Sequence, residues 1–301
     1  MTSLTTEQFK QHFKIEKDTM VLSPQVAMIA GFCGFDKFDY QHPNEIITPT
    51  KQYDYVLIDV LDTDKFPGMS GGMLHSFRYF TYALKFLNST GTLIGKFPIV
   101  ILNKLHGSQA SKGFPHSSYL NDEGHTDSIH IHEDYCFIKI IKGTDKKKTS
   151  VFYDNENQFD IDFSVEKYPI LHHYNQEFYD YFRNIDISTS CERTTIDGKG
   201  DKVAEQLAIR SKRSDFEKVL FVPSNGSRAK AFTFEEVKDK NSGGDAFFAE
   251  SAQQRDQFIQ ILQKPKVINL IKEMCYNNYT SMKLDHKKYI FNERIFDFAN
   301  S

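Results

Sequence analysis

Unbroken apolar runs, and not alternating ones, characterise the first third of the chain. Val26–Ala30, Tyr55–Asp59 and Thr92–Phe97 are three such runs. Continuous apolar runs are typical of strands that are covered on both faces, as in a parallel sheet. Between the second and the third run, residues 72–87 place apolar side chains at helical spacing. This order predicts a strand–helix–strand unit with a right-handed crossover, in which residues 88–91 end the helix.

Shorter elements of mixed type are predicted around and after that unit. Residues 106–127 carry few apolar side chains and are expected to form a loop. Ile129–Ile141 and Thr149–Tyr153 indicate a hairpin-like pair of strands, joined by a lysine-rich tip at residues 142–148. The remaining predicted elements are helices at Thr5–Ile15 and Glu177–Ile185, a strand at Lys218–Val222, and an amphipathic helical stretch at Ala252–Tyr276 that Pro265 interrupts.

Length and composition are those of a globular chain with one large domain or two ordinary ones. The 301 residues are 40% apolar and 26% charged, which supplies enough material for a substantial core. Together with the order of elements, this predicts an α/β sheet domain over residues 1–165. An α+β region is predicted over residues 166–301.

Charge and cysteine usage narrow the class of protein further. Residues 1–180 carry 17 basic and 23 acidic side chains, whereas residues 181–301 carry 20 and 17. A chain that binds nucleic acid along its whole length is more basic than this, so a polyanion-facing surface is expected only in the C-terminal third. No apolar stretch reaches the roughly 18–20 residues of a membrane-spanning helix, and the four cysteines are too sparse for a disulfide framework. We therefore expect a cytoplasmic protein without a membrane partner.

A block of segments between residues 53 and 98 follows an order found in a known enzyme family. The segments are Tyr53–Asp59, Leu74–Phe77, Ala83–Asn88, Gly91–Ile94 and Phe97-Pro98. This order resembles adenine-specific DNA methyltransferases of restriction–modification systems, in which a strand ends in a catalytic Asn/Asp-Pro-Pro-Tyr/Phe motif. The resemblance implies a methyltransferase-like, Rossmann-type sheet domain in residues 1–165 and a target-recognition-like region in residues 166–301. It also implies S-adenosylmethionine as cofactor, DNA as partner, and a catalytic methyltransferase as a possible partner subunit.

The resemblance places the catalytic tetrapeptide at Asp59-Val-Leu-Asp62, which makes Asp59 and Asp62 the implied catalytic positions. The acid that accepts a hydrogen bond from the target amine is present, but both prolines and the aromatic residue that stacks on the flipped base are replaced. Gly31 and Gly34 are the candidate cofactor-binding residues, because a glycine turn lets the backbone approach a ligand closely. The predicted function is therefore that of a DNA adenine methyltransferase homologue with a degenerate catalytic motif, acting in DNA modification or recognition.

Two other functions that involve nucleic acid stay open. One is a catalytically inactive subunit that binds nucleic acid or serves as a scaffold in a larger complex. The other is an RNA ribose 2′-O-methyltransferase, since Asp59, Lys96 and Glu133 are similar to part of the Lys-Asp-Lys-Glu tetrad of that family. The basic side chains predicted to contact phosphates are Lys146, Lys147, Lys148, Arg210, Lys212 and Arg213.

No metal is expected in the main prediction, and a metal-dependent enzyme is the remaining alternative function. His130, His132 and Asp134 alternate, so a strand would place all three on one face, and His125 could join them from the preceding loop. Imidazole nitrogens together with a carboxylate are suitable ligands for zinc or iron. These four residues form the alternative ligand set.

Overall fold

A computed structural model describes most of the chain as two units. It covers residues 4–301 except 17, 36, 44, 46, 62–63, 68–74, 103–124, 147, 154–156, 163–165, 167, 197–215, 224–230, 234–235, 237–243 and 276–283. The first unit comprises Met1–Lys167 and the second Tyr168–Ser301. The division falls two residues from the predicted boundary, while the roles assigned to the two parts remain predictions.

The first unit is built on one eight-stranded mixed sheet. Its strands are β1 (Thr19–Val21), β2 (Asp39–Tyr40), β3 (Tyr53–Asp59), β4 (Leu87–Pro98), β5 (His125–Ile131), β6 (Tyr135–Ile141), β7 (Thr149–Tyr153) and β8 (Asn157–Ile161), and its helices are α1 (Thr6–His12), α2 (Pro24–Phe32) and α3 (His75–Leu84). The strand order is β2-β1-β3-β4-β6-β5-β7-β8. Strands β2, β1, β3 and β4 are mutually parallel, and β6 is antiparallel to both of its neighbours. The predicted α/β class is thereby confirmed.

The strand–helix–strand unit forms as predicted, with one difference at its second turn. Helix α3 ends at Leu84, and β4 begins at Leu87 instead of Thr92. Tyr53 pairs with Leu87 while Tyr55 pairs with Thr92, so residues 88–91 bulge out of the ladder. A Cβ on Gly91 would lie 2.9 Å from the carbonyl oxygen of Tyr53, which explains the glycine at this bulge.

The prediction of a strand at Val26–Ala30 is wrong, because this run lies inside helix α2. Ser23 caps the helix by accepting a hydrogen bond from the Val26 amide at 3.4 Å, and Pro24 occupies its first position. A serine cap followed by proline at the first helical position is a strong helix start. Five consecutive apolar residues, of which Val26, Ile29 and Ala30 are buried, fit a helix as well as a strand, so Ser23 and Pro24 decide the outcome.

The predicted hairpin of Ile129–Ile141 and Thr149–Tyr153 is also wrong. Strands β5 and β6 pair with each other, joined at residues 132–134, and β7 lies parallel to β5 on its other side. Residues 142–148 therefore carry the chain from β6 past β5 to β7. Residues 106–124 of the predicted loop lie outside the described residues, while residues 125–127 begin β5.

The second unit combines a small sheet with helices. Strands β9 (Glu192–Ile196), β10 (Val219–Pro223) and β11 (Gly244–Phe248) form an antiparallel sheet in the order β10-β11-β9. The helices are α4 (Gln176–Arg183), α5 (Ala252–Ile261), α6 (Pro265–Met274), α7 (Leu284–Ile290) and α8 (Arg294–Asn300). Pro265 starts α6, so the predicted interruption of the amphipathic stretch is confirmed. Within the described part of the chain, no helix combines the length and the apolar character needed to span a bilayer.

Candidate functional site

The parallel half of the sheet contains a topological switch point between β1 and β3. The chain leaves β1 through α2 to reach β2 on one side, and later enters β3 on the other side of β1. In open α/β sheets, ligands bind outside the carboxyl ends of the strands at such a point. Asp59 is the last residue of β3 and therefore lies at this edge.

Asp59 forms a buried pair with Lys96 of β4. The two residues are register partners, and Nζ of Lys96 lies 3.9 Å from Oδ1 of Asp59. Only 2% of the Asp59 side chain and none of the Lys96 side chain is exposed. Oδ1 of Asp59 has no hydrogen-bond partner among the described residues, and the Lys96 ammonium also lies 4.6 Å from the centre of the Tyr135 ring. The carboxylate therefore keeps hydrogen-bonding capacity for a ligand.

Burial moves the pKa values of both partners towards neutrality. It raises the pKa of Asp59 from 3.8 to about 6, although Lys96 and a hydrogen bond from the Leu4 backbone act in the opposite direction. Burial likewise lowers the pKa of Lys96, against the attraction of Asp59. Groups that exchange protons near neutral pH are suited to acid–base chemistry or to orienting a reactive hydrogen.

The turn after Asp59 is held by hydrogen bonds in place of prolines. The Val60 amide donates to the Lys96 carbonyl oxygen at 2.9 Å, and the Leu61 amide donates to Oδ2 of Asp64 at 2.7 Å. Proline has no amide hydrogen, so it could make neither bond. Two hydrogen bonds from backbone amides thus fix this turn, whereas the motif of the methyltransferases that the sequence resembles has two prolines there. Asp62, the other implied catalytic residue, lies outside the described residues.

Asp59 and Lys96 belong to a row of side chains that crosses the sheet on one face. The register continues from Lys96 to Phe137 of β6 and then to His130 of β5. Helix α1 covers this row, since the His12 ring stacks on Phe137 at 4.0 Å and lies 4.8 Å from the His130 ring. Burial, with the neighbouring histidines, lowers the pKa of His12 and of His130 to about 4. His12 was not singled out from the sequence, where no motif connects it to the other residues.

A cavity of about 390 Å³ opens on the same face beneath α1. Its lining includes His12, Tyr55, His130 and Lys139. Asp59 is not among the lining residues, so the cavity and the switch point are separate places on this face.

The predicted metal ligands are not brought together. His130 and His132 share a face, but the β5 register shifts between Thr126 and Ser128, and a ring nitrogen of His125 lies 2.9 Å from the Lys148 carbonyl oxygen. Asp134 lies in the connection between β5 and β6. In the parts of the chain that the structure describes, the only trio with ligand atoms all within 4.8 Å of one another is His172, His173 and Glu273.

The predicted glycine turn is not at the switch point. Gly31 lies in the last turn of α2, and Gly34 follows that helix with a φ of +83°. Strand β1 is joined to α2 by Leu22 and Ser23, both buried. The described residues at this edge therefore offer a buried acid, but no glycine turn of the kind expected to hold S-adenosylmethionine. A cofactor-binding role for the two glycines stays a prediction.

The predicted phosphate contacts are described in part. Nζ of Lys146 lies 2.5 Å from Oδ1 of Asp127, and Lys139 reaches the other carboxylate oxygen at 3.0 Å. This acid offsets part of the positive charge near the tip, where Lys148 is exposed. The other predicted contacts, Lys147, Arg210, Lys212 and Arg213, lie outside the described residues.

Comparisons with known proteins give no family assignment. No family model matches the chain, and no curated protein matches it. A solved structure of a protein assigned to the class I S-adenosylmethionine-dependent methyltransferases, from Listeria monocytogenes, has 12% identity and a TM-score of 0.34, covering 49% of this chain and 61% of its own. The methyltransferase subunit of a type I restriction-modification system from Streptococcus thermophilus has 14% identity and a TM-score of 0.33, covering 44% and 35%. At these TM-scores neither likeness carries weight for this chain.

Proposed function

We propose that this chain is a DNA-modification methyltransferase homologue that orients the amine of a target base with Asp59 but does not transfer methyl groups by itself. The observation that carries the proposal is the buried Asp59–Lys96 pair at the carboxyl ends of adjacent parallel strands, beside the switch point. With a pKa of about 6, Asp59 is ionised at neutral pH and accepts a hydrogen bond from an N–H group. The sequence resemblance, with Asp59 in the first position of the catalytic tetrapeptide, supports the amine as the acceptor.

Two features support the absence of independent methyl transfer. The described edge of the sheet lacks a glycine turn after β1, so S-adenosylmethionine has no cradle of the expected type there. Leu4 is 3% exposed, and its backbone hydrogen bonds to Asp59. The N-terminal segment therefore covers the carboxylate, and an acceptor has to displace it. A partner subunit would supply the cofactor.

The test of transfer uses labelled S-adenosylmethionine and mixed-sequence DNA, with DNA binding measured in parallel. We expect DNA binding that weakens with salt and no incorporation of label by the chain alone. Label that is incorporated by wild type and lost in Asp59→Asn overturns the proposal, and so does an absence of DNA binding. Asp54→Asn is the matched control, because it removes an exposed carboxylate from the same strand.

The test of amine orientation compares oligomers that differ only in the amine. Oligodeoxyadenylate is compared with the oligomer of purine, which lacks the exocyclic amine. We expect wild type to prefer the adenine oligomer by about tenfold, as for one hydrogen bond to a charged group. Asp59→Asn should reduce the preference, whereas Asp54→Asn should keep it. Equal affinities of wild type for the two oligomers would contradict this role.

A ribose hydroxyl is a second candidate acceptor, favoured by the burial of Lys96 beside Asp59. Burial lowers the pKa of Lys96, and a neutral lysine can accept the hydroxyl proton while Asp59 holds the lysine in place. Glu133 lies at the same edge, since Pro98 at the end of β4 pairs with Tyr135. This candidate predicts transfer of label to RNA with a rate that rises with pH. Lys96→Met and Lys96→Arg should both abolish it, because a guanidinium keeps its proton.

A further inference from the structure

Two adjacent histidines meet a glutamate in the second unit, at a place that no sequence motif marks. His172 and His173 precede α4, and Glu273 is the next-to-last residue of α6. The His172 amide donates to the Glu273 carbonyl oxygen at 3.2 Å, and the His173 amide donates to Oε2 of Glu273 at 2.7 Å. These backbone bonds fix both histidines at the carboxyl end of α6.

The side chains of the trio are arranged as metal ligands. Nδ1 of His173 lies 3.2 Å from each carboxylate oxygen of Glu273, and the rings of His172 and His173 have their centres 4.1 Å apart. One ligand atom from each of the three residues lies within 4.8 Å of the other two. A tetrahedral ion with ligands at about 2.0–2.2 Å holds its ligand atoms about 3.4 Å apart. The 3.2 Å between Nδ1 of His173 and each carboxylate oxygen of Glu273 is close to this spacing, and the other ligand atoms of the trio lie within 4.8 Å.

The surroundings favour a cation with an open coordination position. The carboxyl end of a helix carries the negative end of its dipole, and α6 ends beside Glu273. The His172 residue is 2% exposed, whereas 58% of the His173 side chain is exposed. The buried histidine gives a fixed ligand on the inner side, and water can complete the coordination on the outer side. Two imidazoles and one carboxylate suit zinc and its first-row neighbours, and not magnesium or calcium, which prefer oxygen ligands.

We propose that His172, His173 and Glu273 bind a divalent first-row transition-metal ion, with Zn²⁺ as the expected occupant. The ion takes the place of the hydrogen between Nδ1 of His173 and the Glu273 carboxylate. It links the segment before α4 to the end of α6. Binding therefore stabilises the second unit and weakens as protons compete at lower pH. This site is independent of Asp59 and of methyl transfer.

The experiment is a calorimetric titration of the chelator-treated full chain with ZnCl₂. We expect one site in wild type, weakened by at least about tenfold in His173→Ala and in Glu273→Gln. His130→Ala is the matched control, because it removes a histidine from the cluster in the first unit and should leave the affinity unchanged. His173→Ala is informative even if Glu273→Gln fails to fold, since the His173 side chain is mostly exposed.

A second readout uses Co²⁺ in place of Zn²⁺. The visible absorption of bound Co²⁺ should show the intensity of a four-coordinate site in wild type and His130→Ala, and it should be absent in His173→Ala. Three results would overturn the proposal: no Zn²⁺ binding by wild type, binding that His173→Ala leaves intact, or binding that depends on His130.

Discussion

Replacing Asp59 with asparagine removes its titration while nearly keeping its shape, so the variant isolates the cost of burying the carboxylate. Burial raises the pKa of Asp59 from 3.8 to about 6. At about 1.36 kcal/mol per pKa unit, the ionised form is disfavoured in the folded protein by about 3 kcal/mol. A carboxyl with a higher pKa in the folded state binds its proton more tightly when folded. The stability it contributes is therefore complete below pH 3.8 and is lost as the pH rises through about 6.

This cost sets the expected difference between wild type and Asp59→Asn. From about pH 5 to about pH 7.5, wild type should lose about 1.4 kcal/mol of unfolding free energy relative to the variant. The assay is urea unfolding at both pH values. Unfolding is monitored through hydrogen exchange of the β3 and β4 amides, so that only the first unit contributes to the measured free energy. Asp54→Asn should keep the wild-type dependence on pH. A difference between wild type and Asp59→Asn that is the same at both pH values would refute a buried, titrating carboxylate.

Three further predictions concern packing, protonation and charge in the first unit. Gly95→Ala should destabilise it by about 1–3 kcal/mol in urea unfolding, because a Cβ would lie 2.2 Å from the Phe97 ring; unchanged stability would contradict this packing. The pKa of His12 is lowered from 6.5 to about 4. The free energy that the neutral ring contributes to folding is therefore present above pH 6.5 and is lost as the pH falls towards 4. In an acid titration monitored by circular dichroism, His12→Gln should unfold at a lower pH than wild type. Replacing the lysines at positions 146–148 with alanine should lower the salt slope of DNA binding by about one per lost phosphate contact at most, and an unchanged slope would show that they do not contact DNA.

In the first unit, the sequence predicts correctly the strands that are buried on both faces. Strands β3 and β4 are covered on both faces, so an unbroken apolar run identifies them. The Val26–Ala30 run has the same pattern but forms a helix, because the local start signal at Ser23 and Pro24 outweighs it. The pairing of β7 with β5 could not be predicted, since nothing in the lysine-rich segment specifies which strand the chain returns to.

At the candidate site, too, the strand pattern predicts some neighbours, whereas tertiary packing alone determines others. Asp59 and Lys96 could be placed together from the sequence, because both lie near the carboxyl ends of adjacent parallel strands. His12 joins its row only through the packing of α1, which lies more than a hundred residues from β5 along the chain. His172 and Glu273 are likewise brought together by tertiary packing, and no periodicity or spacing connects them.

The packing of α1 on β6 has a consequence for the order in which the first unit is made and folded. Gln8 donates a hydrogen bond to the Tyr135 hydroxyl across 127 residues of chain, and Phe13 lies against Phe137. Contacts between such distant residues form late, because a long loop has to close first. During synthesis at about 5–20 residues per second, the aromatic face of α1 waits roughly six to twenty-five seconds for β6. Over that interval Phe9 and Phe13, buried in the finished fold, are exposed on the nascent chain, where a chaperone can bind them and where aggregation can begin.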